Sequence, residues 1–194
     1  TSCQVENSAW HCQQLLAGKP FMTLNVSPRG QVRPFIAADH GACIAIFRSN
    51  LPRYFDCSEL SEFQAFLEKP IGDYFVVALD GAVVACGGGY VRDGIGCLSW
   101  GMVSEEFHHR SVGAMLLTFR VNRLFSEPDT SVITIDTSQH TAGFFARHGF
   151  RTTRQVADGF GTGIDQVSMS LMRGDWVAPA NSSFGPMSET QRHC

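Results

Sequence analysis

The sequence predicts an α/β domain, a mixed and mostly antiparallel central sheet with helices on both faces. Three observations carry that prediction. Two β-rich runs, residues 74–79 and 82–90, flank Asp80-Gly81, a pair that marks a tight hairpin. The apolar run 98–103 passes through a short turn into Val112, Met115, Leu116 and Phe119, which recur at helical spacing. A second buried-strand run, 132–136, leads into a short helix closed by Gly149, where a left-handed C′ residue belongs.

At 194 residues the chain is long enough for one domain with a real core, and 44% hydrophobic with 17% charged residues is a globular balance. A net charge of −3 argues against a general nucleic-acid or anionic-membrane binder, which carries a broad basic excess. The seven cysteines are scattered without a CxxC pair, so neither zinc nor a dithiol redox centre is expected, and no metal is assigned. With no signal-like segment and no apolar run of spanning length, the expected compartment is cytoplasmic.

Taken in order, residues 1–30 form an N-terminal extension. Val5, Ala9, Cys12 and Leu16 predict a short helix stopped by Gly18 and Pro20, and 21–26 a strand ending at Pro28-Arg29-Gly30. A single domain is expected over 31–173. It opens with a short strand from Val32, then a helix after Ala38-Asp39 carrying Ala42, Ile44, Ala45 and Phe47. Loop 48–57 contains Pro52, Tyr54 and Phe55, and Asp56 with Glu59 makes a capping box for a helix whose face is Leu60, Phe63, Phe66 and Leu67. Gly87-Gly88-Gly89 lacks the lysine and the following helix of a phosphate loop, so it predicts a bulged strand or a close backbone approach. After the Arg92-Asp93-Gly94 turn come the central strand and a helix from Val112 to about Phe125. Two final strands are expected at 152–156 and 166–172, joined by a connection containing Gly159, Gly161 and Gly163. Residues 174–194, with their Ser, Pro and Gly, predict a loose tail.

The stretch with most chemical content is His108-His109-Arg110-Ser111-Val112-Gly113. It puts polar, cationic and small residues where a starting helix still has unpaired amides, a ready anion site. Ser and Gly at a helix start serve plain capping equally well.

Two segments resemble motifs of the GNAT N-acetyltransferase superfamily. Residues 103–113, VSEEFHHRSVG, are similar to its strand-end Val followed by Q/R-x-x-G-x-G/A, with His108 in place of Gln or Arg and Ser111 in place of the first Gly. Residues 138–150, SQHTAGFFARHGF, resemble N-x-x-A-x-x-F-Y-x-x-x-G-F, with Ser138 for Asn, Thr141 for Ala and Phe145 for Tyr. The resemblance spans about residues 31–173. It implies splayed fourth and fifth strands, with acetyl-CoA as co-substrate and its pantetheine arm along the main chain of Met102, Val103 and Ser104. The diphosphate would rest on amides from His108 through His109, Arg110, Ser111, Val112 and Gly113 to Ala114. Ser138, Phe145 and Arg147 would flank the cofactor, although Arg147 is also read as a plain surface residue. Loop residues Tyr54 and Phe55 would wall the acceptor pocket or simply dock the loop. The implied acceptor is a small-molecule or peptide amine; nothing excludes a homodimer.

The implied chemistry is attack of a neutral amine on a thioester. It needs an oxyanion donor, for which the Val103 N–H is expected, and groups to take and return a proton. The usual tyrosine acid falls on Phe145, which has no proton to give. Alternation places Cys97, Ser99, Gly101 and Val103 on one face of the strand, with no carboxylate among them. Asp136 and His140 are the candidate proton acceptors, and Ser99 orients a water or bonds locally. Glu105 and Glu106 are expected in solvent, and His148 at the C-terminal end of its helix. The alternative function is a CoA-binding module without chemistry. An unrelated parallel-sheet nucleotide binder is disfavoured by the Asp80-Gly81 hairpin.

Overall fold

The structure is a computed structural model that describes residues 30–178; the helix and strand expected within residues 1–26 lie outside that range. Seven strands form one sheet among the described residues: β1 (Gln31–Pro34), β2 (Asp73–Leu79), β3 (Ala82–Arg92), β4 (Ile95–Val103), β5 (Val132–Ser138), β6 (Arg151–Gly161) and β7 (Ile164–Met172). Their spatial order is β1-β2-β3-β4-β5-β7-β6. Every neighbouring pair is antiparallel except β4 and β5, which run parallel. The α/β mixed sheet is therefore as expected.

Helices α1 (His40–Ser49) and α2 (Leu60–Glu68) cover one face. There Phe47 and Phe63 bury themselves against Val76, Cys86, Met102 and Trp100. The expected capping box precedes α2: the Asp56 amide donates to Glu59 Oε1 at 2.8 Å, and Ser58 N–H to Asp56 Oδ1 at 2.8 Å. Helices α3 (Val112–Phe125) and α4 (Gln139–Arg147) cover the other face. Val112 and Leu116 pack on Phe75, Val77 and Val84, while Leu117, Val121 and Leu124 meet Leu98, Ile133 and Leu171. Each such side chain contributes about 1.5–3 kcal/mol by leaving water.

Hairpin turns Asp80-Gly81 and Asp93-Gly94 both place two successive residues at positive φ (48° and 85°; 51° and 76°), the twist that a two-residue hairpin requires. Strands β6 and β7 are longer than expected, so Gly159 and Gly161 lie inside β6 and only residues 162–163 join the pair. Past β7, Arg173–Asp175 form a 3₁₀ turn, and Trp176 packs on the core with its Nε1–H donating to Asn122 Oδ1 at 2.8 Å.

The central irregularity lies in β4. Met102 pairs with Cys86 but Ser99 pairs with Gly88, so Trp100 and Gly101 together oppose Gly87. This is a β-bulge, and it belongs to β4 rather than to the glycine run of β3. Trp100 sits at φ 40°, a region bulky residues rarely enter. The extra residue breaks the alternation on which the shared-face expectation rested. Ser99 Oγ borders Gly88 beside Tyr74, and Trp100 and Met102 join the cluster under α1 and α2. Gly101 and Val103 instead face α3.

Arg120 of α3 explains Gly87 and Gly101. Its side chain is buried, with Nη1 donating to Gly88 O at 3.2 Å and to Ser99 O at 3.4 Å. No carboxylate among the described residues pairs with it, its Nε has no partner, and burial pulls its pKa down to about 10. A Cβ on Gly101 would lie 2.7 Å from Nη2, and one on Gly87 would lie 2.8 Å from Nη1. From the opposite face the buried Tyr74 hydroxyl donates to Trp100 O at 3.0 Å.

The sheet opens just ahead of the bulge. β4 and β5 pair only from Ile95 to Cys97 against Val132 to Thr134, although β4 continues to Val103 and β5 to Ser138. Gly87→Ala is expected to destabilise the fold by about 1–3 kcal/mol in urea denaturation, because the new methyl has Arg120 on one side and the Gly101 backbone on the other. Combined with Arg120→Ala, the loss should be less than additive. An unchanged urea midpoint for Gly87→Ala would refute the wedge.

Candidate active site

The open end of β4 turns on Val103. The Ser104 amide donates to Val84 O at 2.8 Å, so in an antiparallel ladder Ser104 and Met102 point their peptide groups at β3. Those of Val103 then point away from β3, toward the gap. Of Met102, Val103 and Ser104, Val103 is the one whose main-chain groups face the gap. Its carbonyl accepts from Asn50 Nδ2 at 2.8 Å and from His108 Nε2 at 3.0 Å. Asn50 is buried at the C-terminal end of α1 and also donates to Ile46 O at 2.8 Å.

Below this lies the start of α3. Its first intrahelical bond runs from the Met115 amide to Ser111 O at 3.0 Å, and Ser111 makes no side-chain cap. The amides of Val112, Gly113 and Ala114 are thus the unpaired donors of an uncapped helix. Ser111 and His109 both adopt left-handed φ, 62° and 60°, which curls the loop around those amides. The His108 amide is not part of the set, because it donates to Glu105 O at 3.1 Å. Its imidazole also turns back to Val103 rather than along the loop. Arg110 is exposed, with its guanidinium 5.4 Å from the Phe107 ring.

The remaining expected residues separate into two groups. Tyr54 stands edge-on to His108 at 5.5 Å and to His140 at 6.3 Å, so loop 48–57 does reach the mouth of the gap. His140 is exposed on the first turn of α4. It lies near Asp165, whose carboxyl is held low by Gln155, by the Asp158 amide and, to a lesser degree, by His140 itself. Phe55, by contrast, packs on Phe47 at 5.0 Å and stacks near Trp100 at 6.2 Å, which docks the loop. Asp136 is exposed and accepts from Ser168 Oγ at 2.5 Å. Ser99 Oγ is buried without a partner on the opposite face from Val103. Ser138 precedes α4 with its Oγ 3.3 Å from Thr141 Oγ1, and Arg147 is exposed.

Phe145 is buried in the core against Phe150, at 5.5 Å. The neighbouring Phe144 ring is the one beside the gap: a Cβ on Gly113 would lie 3.6 Å from both Phe144 and the Val103 side chain. His148 caps α4 as expected, with Nδ1–H donating to Phe144 O at 2.9 Å.

The family described as "Acetyltransferase (GNAT) family" matches residues 41–150, more than half of the chain. The chain belongs to this family. Solved structures with the same fold include a GNAT-family acetyltransferase from Desulfovibrio desulfuricans, at 17% identity and TM-score 0.63 over 74% of this chain and 98% of that one. The ribosomal-protein-S18-alanine N-acetyltransferase of Escherichia coli aligns at 14% identity and TM-score 0.64, over 80% and 99%. An aminoglycoside 6′-N-acetyltransferase complexed with coenzyme A aligns at 12% and 0.60, over 73% and 96%. No curated protein matches the sequence.

Within this GNAT acetyltransferase, sequence reasoning missed Asn50, Phe144 and Arg120. Arg120 left a trace, a charge on an otherwise apolar helix face opposite a run of glycines. Asn50 and Phe144 left none, since both depend on where helix ends fall in space. The Ser111 departure now has a structural cost: a left-handed φ penalises a non-glycine residue by ~1–2 kcal/mol. Ser111→Gly is therefore expected to stabilise the fold by about 1 kcal/mol, raising Tm by about 2–4 °C in calorimetry. A lower Tm would show that the Ser111 side chain contributes something the backbone argument omits.

Proposed function

We propose that this acetyltransferase moves the acetyl group of acetyl-CoA to a primary amine of a small molecule or peptide, by direct attack in a ternary complex. The observation that carries the proposal is the gap between β4 and β5, which opens onto the uncapped amides of α3. A parted strand pair leaves peptide groups that a ligand's amides can complete, and an uncapped helix start favours a diphosphate. Val112, Gly113 and Ala114 would hold that diphosphate, with the Arg110 guanidinium and the His109 imidazole nearby. Phe144 and Val103 would flank the arm. Two structural neighbours carry names of enzymes acting on a protein alanine and on an aminoglycoside, both amines.

When bound, acetyl-CoA supplies the thioester; the chain's own residues supply orientation and charge stabilisation. The Val103 N–H points into the gap and serves the developing oxyanion. The next peptide unit, Val103–Ser104, is held by the two bonds to the Val103 carbonyl, which anchors the strand end that carries this donor. Holding amine and thioester in line accounts for up to ~7–11 kcal/mol of the barrier. A free thiol has a pKa near ~8.5, so the leaving thiolate needs little help at neutral pH.

A CoA-binding module without chemistry is the second reading, favoured by Phe145, whose ring lies in the core where the family carries a tyrosine. Titration calorimetry with acetyl-CoA tests both together, and saturable binding is expected. Arg110→Ala should weaken it roughly tenfold, ~1.4 kcal/mol. Thiol release on a panel of small primary amines and peptide N-termini then separates enzyme from silent binder. Absence of any acetyl-CoA binding would end both.

A further inference from the structure

We infer that His108 is the catalytic base of the transfer and, in the same turnover, the acid that returns the proton. The inference rests on the acetyl-transfer reading above and deepens it. A carbonyl oxygen can only accept, so the 3.0 Å contact to Val103 O requires that His108 Nε2 carry the hydrogen. In the neutral ring the lone pair is then on Nδ1. One peptide bond thus sets the tautomer that a base needs. The same residue, Val103, projects its N–H to the same side of the strand. Base and oxyanion donor are therefore tied to one point of the backbone.

The surroundings suit the role. The ring is half-buried, with Tyr54 edge-on at 5.5 Å and His109 at 6.4 Å. The groups facing it are Tyr54, with the Arg53 guanidinium over its ring at 5.3 Å and His140 beyond, and Glu105, whose main-chain carbonyl holds the His108 amide. The other candidate acceptors are placed differently, and His140 is exposed on the first turn of α4 and makes no hydrogen bond to Val103. Asp136 is engaged by Ser168 on an exposed part of β5, and Ser99 lies on the other face of β4. Glu105 and Glu106 are exposed.

In the step, the amine nitrogen forms a bond to the thioester carbonyl carbon and its proton passes to His108 Nδ1, directly or through one water. The oxygen takes the negative charge against the Val103 N–H. The imidazolium keeps its Nε2–H on Val103 O, now a charge-assisted bond. Collapse breaks the carbon–sulfur bond, and the Nδ1 proton goes to the departing sulfur. Amide and thiol leave, and the ring is back in its starting tautomer. One histidine thereby supplies both the base and the acid that a phenylalanine at 145 does not.

The test compares His108→Gln with His108→Ala, reading kcat/KM against pH and acetyl-CoA affinity by calorimetry. Gln keeps an N–H for Val103 O but has no basic nitrogen. His108→Gln should bind acetyl-CoA within about threefold of the parent, and both variants should lose roughly 10²–10⁴ in kcat/KM and the acidic limb of the pH profile. Added imidazole should partly restore His108→Ala. If Gln retains the parental rate, His108 merely caps the carbonyl and the inference is overturned. It is equally overturned if the limb persists in both variants, or if imidazole gives no rescue where Gln does not fold. A parent that binds no acetyl-CoA, or binds it and turns over no amine, sinks the acetyl-transfer reading first and this one with it.

Discussion

A single buried cation governs the geometry of this domain. Arg120 enters the sheet where Gly87 of β3 and Gly101 of β4 leave no side chains. An unpaired buried guanidinium carries a desolvation cost of several kcal/mol, which its bonds to Gly88 O and Ser99 O offset only in part. A sequence seeking only stability would place a leucine here. What the arginine adds is direction: it draws the Ser99 carbonyl toward α3 while Tyr74 draws the Trp100 carbonyl toward α1 and α2. Two successive carbonyls held from opposite faces define a bulge, and a bulge bends its strand. The parting of β4 from β5 begins two residues before it.

That chain of cause explains which parts of the fold were legible in the sequence. Asp80-Gly81, the Asp56–Glu59 box and Gly149 are local devices, each needing a backbone shape that few residues tolerate, so their meaning survives without tertiary context. The β4 face assignment failed because alternation assumes an unbroken pleat. One inserted residue moved Val103 to the opposite face from Ser99, and nothing within Leu98–Val103 reveals that Trp100 takes a positive φ. The glycine run was the visible half of the device; its other half lay some thirty residues away on α3.

The candidate site divides along the same line. The uncapped amides of α3 were readable, because small and polar residues before an apolar helix signal an exposed N-terminus. The roles of individual side chains were not. His108 sits in the phosphate-loop motif by position, yet its ring is captured by a carbonyl five residues back, and Phe145 yields the gap to Phe144 because α4 rotates its apolar face onto Phe150. Motif position fixes where a residue's Cα lies, whereas chemistry depends on where its last atoms end.

The left-handed backbone at His109 and Ser111 points to the same priority of function over stability. Both positions carry a penalty that glycine would avoid, in a loop that no side chain caps. Strain of this kind persists only where its surroundings over-determine it. Here the anchors are the Glu105 carbonyl on the His108 amide and the Val103 carbonyl on the His108 ring. Loosening either would release the loop, uncurl the amides and free the imidazole together. Anion site and proton carrier are thus mechanically one object, hung from the last residue of β4, and a substitution in either half should be felt in the other.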